Sequence, residues 1–171
     1  MITKFYSNYI LNKVKSGPNK FKYPFNLNNS DSIAVLFDAT QVDDIQLVKK
    51  FVYSFSKGKE KVSAIGYVNK KKKSMDHISI LHFDFFTNQN VNWYGKPCGF
   101  IVNNFLDYKY DILIDLSLKS YYSLNYLIIA SNAKFKIGKS KKDITIFDHE
   151  IKSDKDYTLI KLIKKINDYL T

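Results

Sequence analysis

Arginine is absent from the 171-residue chain, and lysine supplies all 27 of its basic residues. Arginine provides the planar, bidentate donor that grips phosphates and guanine edges, so its absence argues against a base-reading surface. The formal net charge is nevertheless +11, and a strongly basic balance usually indicates nucleic-acid or membrane partners. The abundant Lys, Asn, Ile, Tyr and Phe share A/T-rich codons, so we interpret part of the charge as genomic bias.

Cysteine and long apolar runs are also scarce or missing. The single cysteine, Cys98, excludes an intramolecular disulfide and a cysteine zinc cluster, and it fits a reducing compartment. No run of 18 apolar residues occurs, so we predict no membrane-spanning helix. The first 18 residues lack the apolar core and the cleavage site of a signal peptide. We therefore expect a cytoplasmic protein.

Composition divides the chain into a basic arm and a core. Residues 3–16 have amphipathic helical spacing, and residues 19–31 are polar and contain Pro24, as a linker does. We predict an N-terminal helix and linker over residues 1–31. Residues 32–171 are predicted to form one α/β domain.

Short apolar runs and amphipathic stretches alternate through this domain, which predicts strands joined by helices. The predicted strands are 33–37, 62–68, 81–86, 112–116 and 133–137, with 144–147 as a candidate for one more. The predicted helices are one capped by Thr40 and closed by Gly58, then 100–106, 120–131 and 156–170. In the last helix we expect a shared apolar face of Leu159, Ile160, Ile163, Ile166 and Leu170. This order indicates a single three-layer Rossmann-like domain with a mostly parallel sheet of about five strands.

Two loop motifs that bind nucleotides are missing. The stretch "AKFKIGKS" (133–140) ends in Gly-Lys-Ser, but Ala133 stands where a P-loop has its first glycine, and the residues between alternate like a strand. We predict a strand end that turns into a basic loop. The turn after the first strand, "FDATQVDD", lacks Gly-x-Gly-x-x-Gly, which argues against a dinucleotide cofactor.

No catalytic constellation emerges from the sequence. His82 and Asp84 can share one face of a strand, but nothing supplies the third ligand that a metal site needs. No base can be placed beside Cys98, and no nucleophile elbow occurs. We therefore predict no catalytic residue, no metal and no cofactor, and we favour a non-enzymatic protein.

Four polar residues follow the ends of predicted strands, where ligands gather in open α/β sheets. These candidate ligand-binding residues are Asp38, Thr40, Asp115 and Ser117. The alternative is structural: Asp38 and Thr40 cap the next helix, and Asp115 faces a neighbouring loop.

A run of consecutive lysines in a predicted turn provides a second candidate site. Lysines contribute salt-dependent contacts to nucleic-acid phosphates, and nearby aromatic rings offer stacking faces. The candidate nucleic-acid-binding residues are Lys70, Lys71, Lys72 and Lys73, with Tyr67, Trp93, Tyr94 and Tyr108 as candidate stacking residues. The alternative is a solvated basic surface.

Several runs of the core resemble an uncharacterised protein family of the Bacteroidetes. They are "IAVLFDA", "SKGKEKVSAIGYV", "DFFTNQNVNWYGKP" and "YDILIDLS…SNAKFKIGK", within residues 30–140. The resemblance implies a small cytoplasmic α/β protein and supplies no catalytic roles.

The stretch 110–138 is also similar to a segment of the acceptor-side domain of heptosyltransferase-type glycosyltransferases. The matching residues are Asp111, Ile114, Asp115, Leu116, Ser120, Ala133, Ile137 and Gly138. Asn132 departs from a glycine of that pattern, and "FDATQVDDI" lacks its Gly-Asp and Thr-Thr-Pro features. A chain of 171 residues also leaves no room for a nucleotide-sugar domain, so the similarity implies a Rossmann-like unit and argues against transferase activity.

These observations favour a non-enzymatic binding or accessory module whose partner is a protein or a ribonucleoprotein. One alternative is a small-molecule or sugar-nucleotide site, of a degenerate glycosyltransferase type, at the carboxyl ends of the strands. The other is a nucleic-acid binder that uses the lysine run. The sequence does not predict the oligomeric state.

Overall fold

The structure is a computed structural model that describes residues 25–141, 146–152 and 157–171. The described residues form six strands and four α-helices. The strands are β1 Ser32–Asp38, β2 Lys61–Val68, β3 Phe83–Thr87, β4 Ile112–Asp115, β5 Phe135–Lys139 and β6 His149–Ile151. The helices are α1 Val42–Ser56, α2 Phe100–Asp107, α3 Tyr122–Ala130 and α4 Leu159–Leu170.

The strands form one parallel sheet in the order β3-β2-β1-β4-β5-β6. The chain winds outward from β1 in both directions, which is the arrangement of a doubly wound Rossmann-like domain. The predicted three-layer α/β fold is confirmed, with six strands rather than about five. Among the described residues no helix is long and apolar enough to cross a membrane.

Central strand β1 explains why the sheet is covered on both faces. Its odd-numbered residues, Ile33, Val35 and Phe37, join the core with α1 and α4. Its even-numbered residues, Ala34 and Leu36, join the core with α2 and α3. Side chains alternate between the faces of a strand, so a continuous apolar run is needed wherever both faces are buried.

Two details of the helices differ from the predictions. Gln41, not Thr40, is the N-cap of α1, because the Thr40 hydroxyl accepts a hydrogen bond from the Asn69 backbone N–H at 3.0 Å. In α4, Ile160 is 61% exposed while Leu162 is fully buried. The stripe that meets the sheet therefore runs through positions 159, 162, 166 and 170, and Ile160 lies beside it.

The two ends of the domain also refine the predictions. The strand predicted at 133–137 starts at Phe135 instead. We also predicted a candidate strand at 144–147, but Ile146 and Phe147 lie outside any strand, and the strand that follows β5 is β6. Residues 144–145 and the predicted helix at 3–16 lie outside the described residues. Part of the predicted linker packs on the domain: Leu27 is buried, and its N–H donates to the Leu170 carbonyl at 2.8 Å.

Candidate functional site

The carboxyl ends of the six strands form one edge of the sheet, which we call the carboxyl edge. Strand order reverses between β1 and β4, and in this class of fold a crevice at such a point commonly holds the ligand. Asp38, Thr40, Asp115 and Ser117 all lie at this edge. Their hydrogen bonds place them in two groups, one around each aspartate.

The first group ties the end of β1 to the start of α3. Asp38 accepts a hydrogen bond from the Thr40 N–H at 2.9 Å through Oδ1 and one from the Tyr121 hydroxyl at 2.8 Å through Oδ2. Tyr121 immediately precedes α3 and packs edge-on against Tyr67 at 5.1 Å. Burial, reinforced by the Asp38 carboxylate, raises the pKa of Tyr121 to about 12. The phenol therefore stays neutral and donates its proton to Asp38 at physiological pH.

The second group is a buried ion pair. Asp115 is fully buried, and its Oδ2 lies 2.7 Å from Nζ of Lys141, a side chain that is 5% exposed. Its Oδ1 accepts from the backbone N–H and the hydroxyl of Ser117, at 3.0 and 2.6 Å. Oδ1 is thus satisfied by hydrogen bonds, whereas Oδ2 is held by the charge of Lys141 and has no hydrogen-bond donor of its own.

Lys141 is also engaged within the protein. Besides Asp115, its ammonium donates to Oδ1 of Asn125 at 2.7 Å and to Oγ of Ser117 at 3.3 Å. Lys141 Nζ is thus held by two hydrogen bonds and one ion pair, all within the protein. The arrangement clamps β4, α3 and the end of β5 together.

The turn between β1 and α1 is acidic. Asp43 and Asp44 occupy the first turn of α1, and Asp38 precedes it. Burial, followed by the charges of Asp38 and Asp43, raises the pKa of Asp44, although Lys119 opposes the shift. Phosphates bind helix N-termini because backbone N–H groups and the helix dipole attract negative charge. Carboxylates at this position repel a phosphate.

The candidate nucleic-acid site is only partly assembled. Lys70–Lys73 are exposed, and the Lys70 carbonyl accepts a hydrogen bond from the Asn88 N–H at 3.2 Å, which holds the run beside the end of β3. Tyr67 is 6% exposed and cannot stack on a base. Tyr108 lies at the opposite end of the sheet, where its hydroxyl donates to Glu60. The expected set of stacking residues is therefore wrong for these two tyrosines.

The histidine and cysteine candidates remain isolated from one another. His82 lies in the turn before β3, whereas Asp84 lies within the strand. Within the part of the chain that the structure describes, no three His, Cys, Asp or Glu side chains are placed to hold a metal ion. Cys98 is exposed, and its Sγ donates to the Asn90 carbonyl at 3.4 Å.

Sequence reasoning missed an exposed apolar surface on the crossover that joins β2 to β3, residues 69–82. In a doubly wound sheet such a crossover usually carries an α-helix, but here it contains only a 3₁₀ turn, Met75–His77. Four large apolar side chains of this segment face solvent, and we call them the crossover patch. They are Met75, Ile78, Ile80 and Leu81, which are 89%, 60%, 43% and 81% exposed. In the sequence, alternating Ile78 and Ile80 resemble the start of a strand, so no signal revealed their exposure.

Comparison with known proteins places the chain in a family. The family described as "Family of unknown function (DUF6913)" matches residues 3–171. The chain belongs to this family. The search of curated proteins and the search of solved structures both returned no match.

Proposed function

We propose that the chain is a non-enzymatic binding module whose protein partner docks on the β2–β3 crossover. One observation carries the proposal: four large apolar side chains within the seven residues Met75–Leu81 are exposed. Single exposed apolar residues are ordinary on protein surfaces, whereas a cluster of them marks an interaction site.

The crossover is held to the domain by His77, which supports its role as a docking surface. His77, at its centre, is 5% exposed. Its Nε2 lies 2.8 Å from the Ala39 carbonyl, and its Nδ1 lies 3.0 Å from the Ser74 backbone nitrogen. Nε2 must therefore carry the hydrogen, while Nδ1 accepts. These contacts tie the centre of the crossover to the domain, while the neighbouring apolar side chains face solvent.

The carboxyl edge offers less support for a small-molecule function. Both oxygens of Asp38 and Oδ1 of Asp115 already have donors within the protein, and Oδ2 of Asp115 is paired with the Lys141 ammonium. A sugar nucleotide would also bring phosphates towards the acidic start of α1. The small-molecule site at Asp38, Thr40, Asp115 and Ser117 stays a prediction, and we rank it second to the protein partner.

A nucleic-acid function would use the charge of the crossover but not its apolar residues. Lys70–Lys73 are exposed and can contact phosphates. Exposed Met75, Ile78 and Leu81 have no role in such contacts, whereas a protein interface uses both lysines and apolar side chains. This reading too stays a prediction, and the experiment below separates it from the protein partner.

The test is affinity capture from the source cells, with a variant that removes three of the four side chains of the crossover patch. The variant carries Met75→Ser, Ile78→Ser and Ile80→Ser, and the matched control carries Ile160→Ser, an exposed isoleucine on α4. We expect one protein to be held at stoichiometric amounts by the unaltered chain and by the control, and to be lost by the variant. Capture of nothing, of nucleic acid alone, or of a protein that the variant still holds would contradict the proposal.

A further inference from the structure

Resting on the proposed function, we infer that Leu81 is the anchor residue of the interface, and that the partner is an acidic protein surface with an apolar pocket for it. The starting observation is the turn that leads into β3. The Ile80 N–H donates to the Phe83 carbonyl at 3.0 Å, and the Phe83 N–H donates to the Ile80 carbonyl at 2.7 Å. These two bonds define a tight turn with Leu81 and His82 at its centre.

Leu81 is in a backbone conformation that leucine rarely adopts. Its φ is +34°, and among the described residues it is the one non-glycine residue with a positive φ. A two-residue turn with positive φ at its first central position favours glycine there, because a Cβ is crowded in the left-handed region. A leucine at this place costs the folded state stability.

Packing of the Leu81 side chain within the domain offsets little of this loss of stability. It is 81% exposed, so most of its apolar surface remains in water. Strained residues persist where the strain serves a function, and they cluster at ligand clamps and binding sites. An exposed, strained leucine that directly follows exposed Ile78 and Ile80 is therefore best explained by contact with a partner.

The turn also presents Leu81 in a fixed position. Its two backbone hydrogen bonds hold one side, and the Ala64 N–H holds the other by donating to the His82 carbonyl at 2.7 Å. A side chain displayed by a rigid turn loses less conformational entropy on binding than one on a flexible loop. Leu81 is thus preorganised to enter a pocket.

The outer edge of β3 is partly closed to another strand, which favours side-chain docking as the mode of contact. The Phe83 N–H and C=O are paired with Ile80, and the Thr87 N–H donates to Oδ1 of Asn90 at 3.0 Å. A partner strand needs an edge of free backbone groups. Here both ends of the edge are occupied by the chain itself.

The charge of the crossover identifies the chemistry of the partner. Residues 69–82 contain four exposed lysines, Lys70–Lys73, and one acidic residue, Asp76. The Asp76 carboxylate accepts from the Ser74 hydroxyl at 3.1 Å. A surface that combines this positive charge with apolar side chains is complementary to an acidic protein surface with an apolar pocket.

The test compares stability and capture in three variants of Leu81. Leu81→Gly and Leu81→Asn accept a positive φ but remove the apolar side chain, whereas Leu81→Met keeps an apolar side chain and the strain. We expect Leu81→Asn to raise the melting temperature of the purified chain by about 2 °C. We expect the same variant, and Leu81→Gly, to hold the protein captured from source cells at least about tenfold more weakly. Leu81→Met should bind within about twofold of the unaltered chain.

A change of the four lysines to glutamine completes the test. We expect it to weaken capture at low salt and to flatten the dependence of capture on salt, with an acidic protein as the captured species. If Leu81→Asn still captured the protein and the Met75/Ile78/Ile80 variant lost it, Leu81 would not be the anchor residue. The proposed function would then still stand. A melting temperature that falls in Leu81→Asn, or a captured protein that is basic, would also overturn the inference. Captured nucleic acid that depends on the lysines and not on Leu81 would favour the nucleic-acid reading.

Discussion

The carboxyl edge and the crossover differ in whether their side chains are paired within the protein or exposed to solvent. At the carboxyl edge, the charged groups are paired within the protein: buried Asp115 with Lys141, and half-buried Asp38 with Tyr121. At the crossover, apolar side chains are exposed, and Leu81 adds backbone strain. At the location where this type of fold usually binds ligands, both aspartates thus make contacts within the protein. The exposed apolar side chains, on which the proposed function rests, lie on the crossover at the β3 side of the sheet.

The largest expected effect is at the buried ion pair, which would test whether the carboxyl edge is structural. Asp115→Asn leaves the Lys141 ammonium buried without its counter-charge, which costs about 3–5 kcal/mol in the free energy of unfolding. Adding Lys141→Met to that variant should recover part of the loss, because it removes the unpaired charge. Urea denaturation measures both, with Asp168→Asn, an exposed aspartate on α4, as the control. A loss below about 1 kcal/mol would favour a ligand-binding role for Asp115.

The next effect comes from the glycine that makes room for this pair. A Cβ on Gly138 would lie 2.6 Å from Cζ of Phe147 and 3.0 Å from Cβ of Asp115. Gly138→Ala should therefore cost about 1–3 kcal/mol of stability, since a packed ring must shift. In a Phe147→Leu background the same change should cost less, because the ring is gone. Equal costs in the two backgrounds would show that the ring does not set the limit.

Tyr121→Phe should cost about 1–2 kcal/mol near neutral pH, because it leaves Oδ2 of Asp38 without a donor. The pKa of Tyr121 is raised by folding to about 12, so its contribution to stability is complete below the ordinary tyrosine pKa of about 10. That contribution is lost as the pH rises through about 12. The stability difference between the unaltered chain and the variant should therefore shrink between these two values. If the difference in urea midpoints stayed constant across that range, the hydrogen bond between Tyr121 and Asp38 would not contribute to stability as described.

The smallest effect is expected at the crossover patch. Met75→Ser, Ile78→Ser and Ile80→Ser each remove an exposed side chain, so each should change the free energy of unfolding of the chain alone by no more than about 0.5 kcal/mol. Thermal melting of the purified variants measures this. A loss of 2 kcal/mol or more, on the order of a buried residue, would show that the patch is packed within the protein and would erase its contrast with the carboxyl edge.

Much of the fold is predictable from local sequence, because a strand buried on both faces needs an unbroken apolar run. The run from Ile33 to Phe37 predicted β1 within one residue at each end. β6 was not predicted, because His149–Ile151 is short and contains two polar residues. We predicted Ile160 on the buried face of α4, but Leu162 lies there instead, because several apolar residues lie on neighbouring faces of that helix. Only packing selects among them.

The candidate site was harder to predict, because its contacts join distant parts of the chain. Asp38 and Asp115 could be placed at the carboxyl edge from the order of strands and helices. Lys141 could not be identified, since it is one of several lysines after β5 and only the parallel register of β4 and β5 brings it to Asp115. The positive φ of Leu81 has no sequence signal either, because leucine is not a residue that the turn favours.

Hydrogen–deuterium exchange on the chain, alone and in complex with its captured partner, would compare the two regions in one measurement. We predict that the partner slows backbone exchange across residues 69–82 and leaves residues 38–41 and 115–121 unchanged. If the partner instead slowed exchange at 38–41 and 115–121 and left exchange at 69–82 unchanged, the account would be contradicted and the binding site would lie at the carboxyl edge.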